Sequence, residues 1–264
     1  MIAVEGIILV LSCHKHMNTR LKKFKLKKNN YENWKVIYVI GNLFIDSDYK
    51  LEGDMLTIKC EDSYLHLLKK LVLSLKYIYE IFDIKEGVLR CGDDLIFNED
   101  NLESFLKLPK KINNEAIDLL GKSFYGKGLL SQDISDNDIK ISINDNFMVE
   151  YYKNHQEDYD DPMHNLKNID ISKYTKRPYL PIYPVGVLYY ISNKSCKILI
   201  NHLENINYNI FHYDEYSNSY PYTIEDCAVS FILYYNRISF IHCPDIYSDY
   251  SDNNCIAIHT NYLR

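Results

Sequence analysis

Two uninterrupted apolar runs constrain this chain most. Residues 6–13 (Gly-Ile-Ile-Leu-Val-Leu-Ser-Cys) and 35–40 (Lys-Val-Ile-Tyr-Val-Ile) lack the alternation of a strand with one wet face. Such runs belong to a parallel sheet covered by helices on both sides. Residues 17–26 are then the expected connecting helix. A short strand over 55–58 precedes the clearest helical spacing, Tyr64, Leu67, Leu68, Leu71 and Leu75, with Asp62 or Ser63 as its cap. Residues 87–90 form a third buried strand, and Asn98 can cap a helix running through Phe105. This β-α-β-α-β rhythm predicts an α/β fold, a Rossmann-like, mostly parallel sheet flanked by helices.

The third run ends in Cys91-Gly92-Asp93-Asp94-Leu95. It delivers two adjacent carboxylates to a strand's carboxyl end, where α/β proteins gather ligands. Neighbouring acids repel unless a cation lies between them, and a divalent ion is the usual partner. Gly-Asp-Asp is equally a good turn sequence, because Gly accepts positive φ and Asp bonds its own backbone. The tripeptide alone leaves both readings open.

Bulk properties narrow the field. A net charge of -6 argues against nucleic acid as the main partner, since phosphate neutralisation needs a basic face. Lys22, Lys23, Lys25, Lys27 and Lys28 crowd one segment, readable as a solvated helix face or as a device that steers an anionic nucleotide. The seven cysteines are odd in number and lack zinc-type spacing, which fits a reduced, intracellular setting. Glu5 interrupts the approach to the first apolar run, so neither a leader nor a membrane span is expected there. The 25 tyrosines, with abundant Asn, Ile and Lys, suggest an AT-rich coding genome, which would place this soluble protein in a host cell if the source is a large virus.

Residues 131–170 replace periodic hydrophobics with Asp, Asn, His and Tyr and read as an irregular surface excursion. Regular structure resumes with a strand over 187–191, a helix over 193–206, and a last helix from Thr223 carrying Ala228, Phe231, Ile232 and Tyr235.

Four segments, in order, resemble family 31 of the inverting glycosyltransferases, the galactosyltransferase and N-acetylglucosaminyltransferase group that includes the Fringe proteins. Asp62-Ser63-Tyr64 with Leu67 and Lys70 is similar to the family's Asp-Ser-Tyr helix start. Arg90-Cys91-Gly92-Asp93-Asp94-Leu95-Ile96-Phe97 falls on its acidic strand end, with Gly92 at the first of three acidic positions. Tyr183-Pro184-Val185-Gly186 through Ser192 resembles its glycine-rich element, of whose three glycines Gly186 remains, and Glu225-Asp226 with Val229 resembles its Glu-Asp-Val helix start.

The resemblance implies a single GT-A type domain over 1–264, with a nucleotide-binding half over about 1–110 and an acceptor-side half over about 111–264. It implies transfer, with inversion, of a hexose or N-acetylhexosamine from a UDP-sugar to a hydroxyl of a glycan, protein or lipid, with Mn2+ or Mg2+ as cofactor. Asp94 would ligate the metal, Asp93 would help hold it or the sugar hydroxyls, and a late histidine would complete the shell. That histidine is assigned to His259, with His242 as competitor. Asp226 would be the base that takes the acceptor proton; the plainer alternative is that Glu225 and Asp226 complement the positive end of a helix capped by Thr223. Strand ends and helix starts face the ligand crevice, which makes Ser12, His14 and Arg20 candidate nucleotide contacts. Asp62, Lys70 and Glu225 join them by resemblance, and Tyr183 and Gly186 would lie near the donor sugar or acceptor. Two other classes compete: a polymerase-type Gly-Asp-Asp metal site, and a non-catalytic sugar-nucleotide or glycan-binding relative.

Overall fold

A computed structural model describes residues 1–124, 135–250 and 252–260. The first apolar run is the centre of the sheet, β1 (Ile2–Leu11). A short helix α1 (Arg20–Phe24) leads towards β2 (Trp34–Gly41), the second run; β3 (Tyr49–Glu52) and β4 (Met55–Ile58) form its outer edge. Helix α2 (Leu67–Ile81) returns the chain to β5 (Phe82–Cys91), which carries the acidic pair at its end. Next come β6 (Leu95–Phe97), α3 (Glu99–Lys107) and β7 (Leu119–Gly121). Helix α4 (Asp136–Ile139), β8 (Ser142–Asn144), α5 (Phe147–Asn154), α6 (Gln156–Asp160) and β9 (Lys176–Pro178) follow. The chain closes with β10 (Leu188–Ser192), α7 (Asn193–Asn205), α8 (Glu225–Tyr235), β11 (Phe240–His242), β12 (Tyr247–Ser248) and β13 (Ala257–His259).

The large sheet runs in the order β11-β7-β10-β5-β1-β2-β4-β3. Strands β5, β1, β2 and β4 are parallel, as the double-sided runs require, whereas β10 and β3 pair antiparallel. The sheet is therefore mixed. Alternate residues of β1 enter opposite cores: Ile7 and Leu9 pack with Leu71, Leu75, Leu199 and Ile232 of α2, α7 and α8. Ile8 and Val10 pack with Trp34, Leu89, Leu102 and Leu106 on the α3 side. Each such fully buried aliphatic side chain contributes about 1.5–3 kcal/mol. With helices on both faces, this is a GT-A type α/β fold.

Three element boundaries depart from expectation for local reasons. Helix α1 stops at Phe24 because Lys25 turns extended, and Lys25 and Lys28 of the basic cluster pair at the surface with Asp54 and Glu103. Asp62 does not cap α2, which begins at Leu67; Ser63 Oγ instead accepts from the His66 N–H one turn earlier. Strand β5 starts at Phe82 because Phe82 and Ile84 alternate with Asp83 and Lys85, a half-wet pattern that the buried run behind it obscured.

The excursion, expected to be irregular, carries α4 through α6 over its described part, and residues 131–134 lie outside the described residues. Met148, Tyr152, Leu166 and Ile171 form a third cluster with Leu65. Four apolar residues spread over short elements give no clear period, which is why the composition hid them.

Candidate active site

Strand β5 sends its last residues out of the sheet beside β1, and the two carboxylates diverge at once. Asp93 turns inward: its Oδ2 accepts from Ser12 Oγ (2.7 Å) and pairs with His16 Nδ1 (2.9 Å), while Arg20 Nη1 lies 3.4 Å from its Oδ1. Burial opposes its ionisation, but the His16 and Ser12 bonds and the Arg20 charge outweigh burial and hold its carboxyl below the usual range. The same pairing, again against burial, lifts His16 to about 9.

Asp94 turns the other way. Strand β13 pairs antiparallel with β6, and the register sets His259 opposite Leu95, the residue after Asp94. His259 Nε2 is consequently 3.4 Å from Asp94 Oδ2, and its Nδ1 meets Asp249 Oδ1 at 2.9 Å. The Asp94 bond, opposed by burial and helped by Asp249, raises the His259 pKa above its ordinary value. Thr260 fixes this corner by donating its N–H (3.0 Å) and Oγ1 (2.7 Å) to the Asp94 carbonyl. His242 is elsewhere, buried on β11 with Nδ1 accepting from the Ser123 N–H at 3.0 Å. Asp94 and His259 offer one carboxylate and one imidazole; among the described residues no group of three or more His, Cys, Asp or Glu side chains could hold a metal by itself.

The expected nucleotide contacts separate into two kinds. Asp62 and Lys70 are a buried pair at 2.8 Å; Asp62 also accepts from the Gly41 and His14 N–H groups, and Lys70 Nζ donates to the Ser12 carbonyl at 2.6 Å. At 3% and 2% exposure they brace the loop after β1. Ser12 is likewise spent on Asp93. Arg20 and the side chain of His14 remain accessible, and Arg20 Nη1 bridges the doublet at 3.4 Å from Asp93 and 4.0 Å from Asp94.

A second doublet opens α8. Glu225 is buried, its Oε2 3.0 Å from Arg90 Nη2 and its Oε1 accepting from the Tyr189 hydroxyl; burial raises its pKa despite Arg90. It was expected among the donor-binding residues, but both its oxygens are engaged inside the protein. Asp226 stays half-exposed, with Oδ2 accepting from the Gly186 N–H (2.9 Å) and Oδ1 from the Cys227 N–H (2.8 Å). A Cβ on Gly186 would come within 3.2 Å of Glu225 Oε2, so the glycine allows the 183–187 loop to approach α8 this closely. Thr223 does not cap α8; its hydroxyl bonds the Tyr220 carbonyl. Tyr183 is half-buried, and the Arg177 guanidinium lies over its ring at 5.6 Å.

Sequence reasoning missed His16 and Arg90 as partners of the inner acids and Asp249 as the partner of His259. His14-Lys15-His16 was the one local signal, whereas Arg90 meets Glu225 across 135 positions of chain. Burial first, then the charges of Asp226, Glu225 and Asp94, hold the Tyr64 phenol pKa above its ordinary value.

No curated protein matches the chain. Residues 40–244 match the Galactosyltransferase family, a span that covers well over half the sequence and includes both doublets. The chain therefore belongs to the galactosyltransferase family, family 31 of the glycosyltransferases.

Proposed function

We propose that this glycosyltransferase is metal-dependent and inverting, and moves a hexose or N-acetylhexosamine from a UDP-sugar to an acceptor hydroxyl. The observation that carries the reading is the division of labour within the doublets: each has one acid consumed by a cation and one left facing outward, Asp94 beside an imidazole and Asp226 on backbone N–H groups.

The donor set fits a divalent ion. Asp94 and His259 would hold it, with the diphosphate oxygens supplying further ligands, a mixture of oxygen and nitrogen that suits Mn2+. Asp249 holds His259 by Nδ1, which leaves Nε2 directed at Asp94, the arrangement by which carboxylates orient metal-binding imidazoles. When bound, such an ion neutralises charge that develops on a departing diphosphate. Arg20 adds a fixed positive charge at the same end of β1. Asp226 takes the proton of the acceptor hydroxyl as that oxygen attacks the anomeric carbon; its two N–H donors fix the carboxylate without consuming all its acceptor sites.

Calorimetry of the whole chain with UDP, with and without MnCl2, tests the metal half. Mn2+ should tighten UDP binding, and Asp94→Ala should remove that gain, a loss of at least about tenfold. Equal UDP affinity with and without Mn2+ would refute metal dependence, and no affinity for UDP would refute the donor.

A further inference from the structure

Lys122 leaves the central sheet one residue after β7, and the register of three strands fixes where. Gly121 pairs with Tyr189 of β10, and Tyr189 pairs with Arg90 of β5. Both pairings are antiparallel, so β7 and β5 point the same way. Lys122 therefore emerges level with Cys91, two strand spacings or about 10 Å across the sheet. That is the edge from which Asp93 and Asp94 leave β5.

Its contacts reach both halves of the site. The Lys122 carbonyl accepts from the Val185 N–H at 2.9 Å, and the next N–H along, that of Gly186, holds Asp226. Its Nζ donates to the Tyr247 carbonyl at 3.0 Å and lies 4.7 Å from the centre of the Tyr247 ring. The same ring meets that of His259 at 6.2 Å and 80°. One aromatic side chain thus touches both the ammonium and the imidazole beside Asp94.

Lys122 is half-buried, yet it makes no ion pair with any described residue. The other cations near the doublet are spent: Arg20 lies against Asp93 and Asp94, Lys70 against Asp62, and Lys15 against Asp158. The Tyr247 carbonyl takes one of three ammonium donors and leaves two. Drawing a charge partly out of water without a counter-charge is costly, and an anion brought by a ligand removes that cost. The strong anion of a UDP-sugar is its diphosphate, which a divalent ion already shared with Asp94 compensates only in part.

We propose that Lys122 is a further catalytic residue, whose ammonium bonds the sugar-side phosphate of the donor. The acceptor oxygen forms its bond to the anomeric carbon and passes its proton to Asp226; the bond from that carbon to the diphosphate breaks, and its electron pair stays on the phosphate oxygen. Lys122 gives up no proton and stabilises this oxygen by its charge. The assignment rests on a UDP-sugar as the donor.

The test is calorimetry of the whole chain, with MnCl2, against UDP, UMP and inorganic pyrophosphate. Lys122→Gln should weaken UDP and pyrophosphate by about tenfold or more, the scale of one lost hydrogen bond to a charged group, and leave UMP, which lacks the outer phosphate, within about twofold of wild type. Lys122→Arg, which keeps the charge, should hold UDP affinity close to wild type. For any UDP-hexose that is turned over, kcat should fall in Lys122→Gln and recover in Lys122→Arg. UDP affinity unchanged in Lys122→Gln, or UDP and UMP weakened equally, overturns the contact. Pyrophosphate binding that needs Lys122, with no affinity for UDP, would uphold the phosphate contact and refute the UDP donor, so the two readings fail separately.

Discussion

The two carboxylate doublets, Asp93-Asp94 at the end of β5 and Glu225-Asp226 at the start of α8, solve one electrostatic problem in the same way on different backbones. In each the first acid turns into the protein and meets a cation, His16 and Arg20 for Asp93 and Arg90 for Glu225. The second faces outward. They differ in what holds that outer acid. Asp226 is fixed by two backbone N–H donors, whereas among the described residues the Asp94 side chain has only His259 at 3.4 Å and Arg20 at 4.0 Å, with the rigid contacts going to its carbonyl. A base needs fixed geometry relative to one proton, while a ligand for a cation that arrives with its substrate needs room to adjust.

The comparison breaks most sharply at α8. Asp226→Asn keeps one of the two N–H contacts on its amide oxygen, turns its NH2 towards the other and removes the proton acceptor, so kcat should fall by about 10²–10⁴-fold with UDP affinity retained. Transfer at the wild-type rate would remove Asp226 from the chemistry. Its neighbour should respond in the opposite currency. Glu225→Gln leaves the Arg90 guanidinium, fully buried, without its counter-charge, and should lower unfolding free energy by about 3–5 kcal/mol in a urea titration. Asp226→Asn, which gives up one half-exposed N–H contact, should cost no more than about 1 kcal/mol in the same titration. Equal destabilisation by both would show that the inner and outer members are not distinct.

How much of this was legible in the sequence follows from the range of each interaction. The buried strands β1, β2 and β4 and the helix α2 declared themselves because their signals are local runs or periods, and the acidic doublet was visible because it ends such a run. Asn98, which caps α3 by accepting from the Asn101 N–H, was legible for the same reason. The inward turn of Asp93 and Glu225 was not, since both depend on residues brought from far along the chain. The resemblance marked all four acids as functional without distinguishing inner from outer. Asp62 and Lys70 show the same limit: their motif was visible, but their pairing with each other and with the Gly41 N–H and Ser12 carbonyl emerges only when β1, β2 and α2 converge. His259 came into place through strand register, which a single sequence does not reveal.

The smallest expected effect concerns the residue that precedes the first doublet. Gly92 stands where the family resemblance has an acid, and its N–H donates to the Val187 carbonyl at 3.1 Å. A Cβ there would come within 2.8 Å of Asp94 Oδ1 and meets nothing else inside 3.4 Å. Because that contact is the far end of a flexible side chain, Gly92→Ala should displace Asp94 rather than the backbone. Forcing a side chain off its rotamer costs about 0.5–1.5 kcal/mol, equivalent to roughly two- to tenfold in Mn2+-dependent UDP affinity. Stability should be nearly unchanged, since no core contact is lost. The matching change at the second doublet, Gly186→Ala, presses instead on Glu225 and Asp226 at 3.2 and 3.4 Å, where the ion pair and the backbone bonds leave little freedom to yield. If outer acids differ in mobility as their contacts imply, Gly92→Ala moves binding with kcat largely preserved, and Gly186→Ala moves kcat. Identical profiles for the two variants would mean that Asp94 is as rigid as Asp226, and that the difference between ligand and base lies in charge alone.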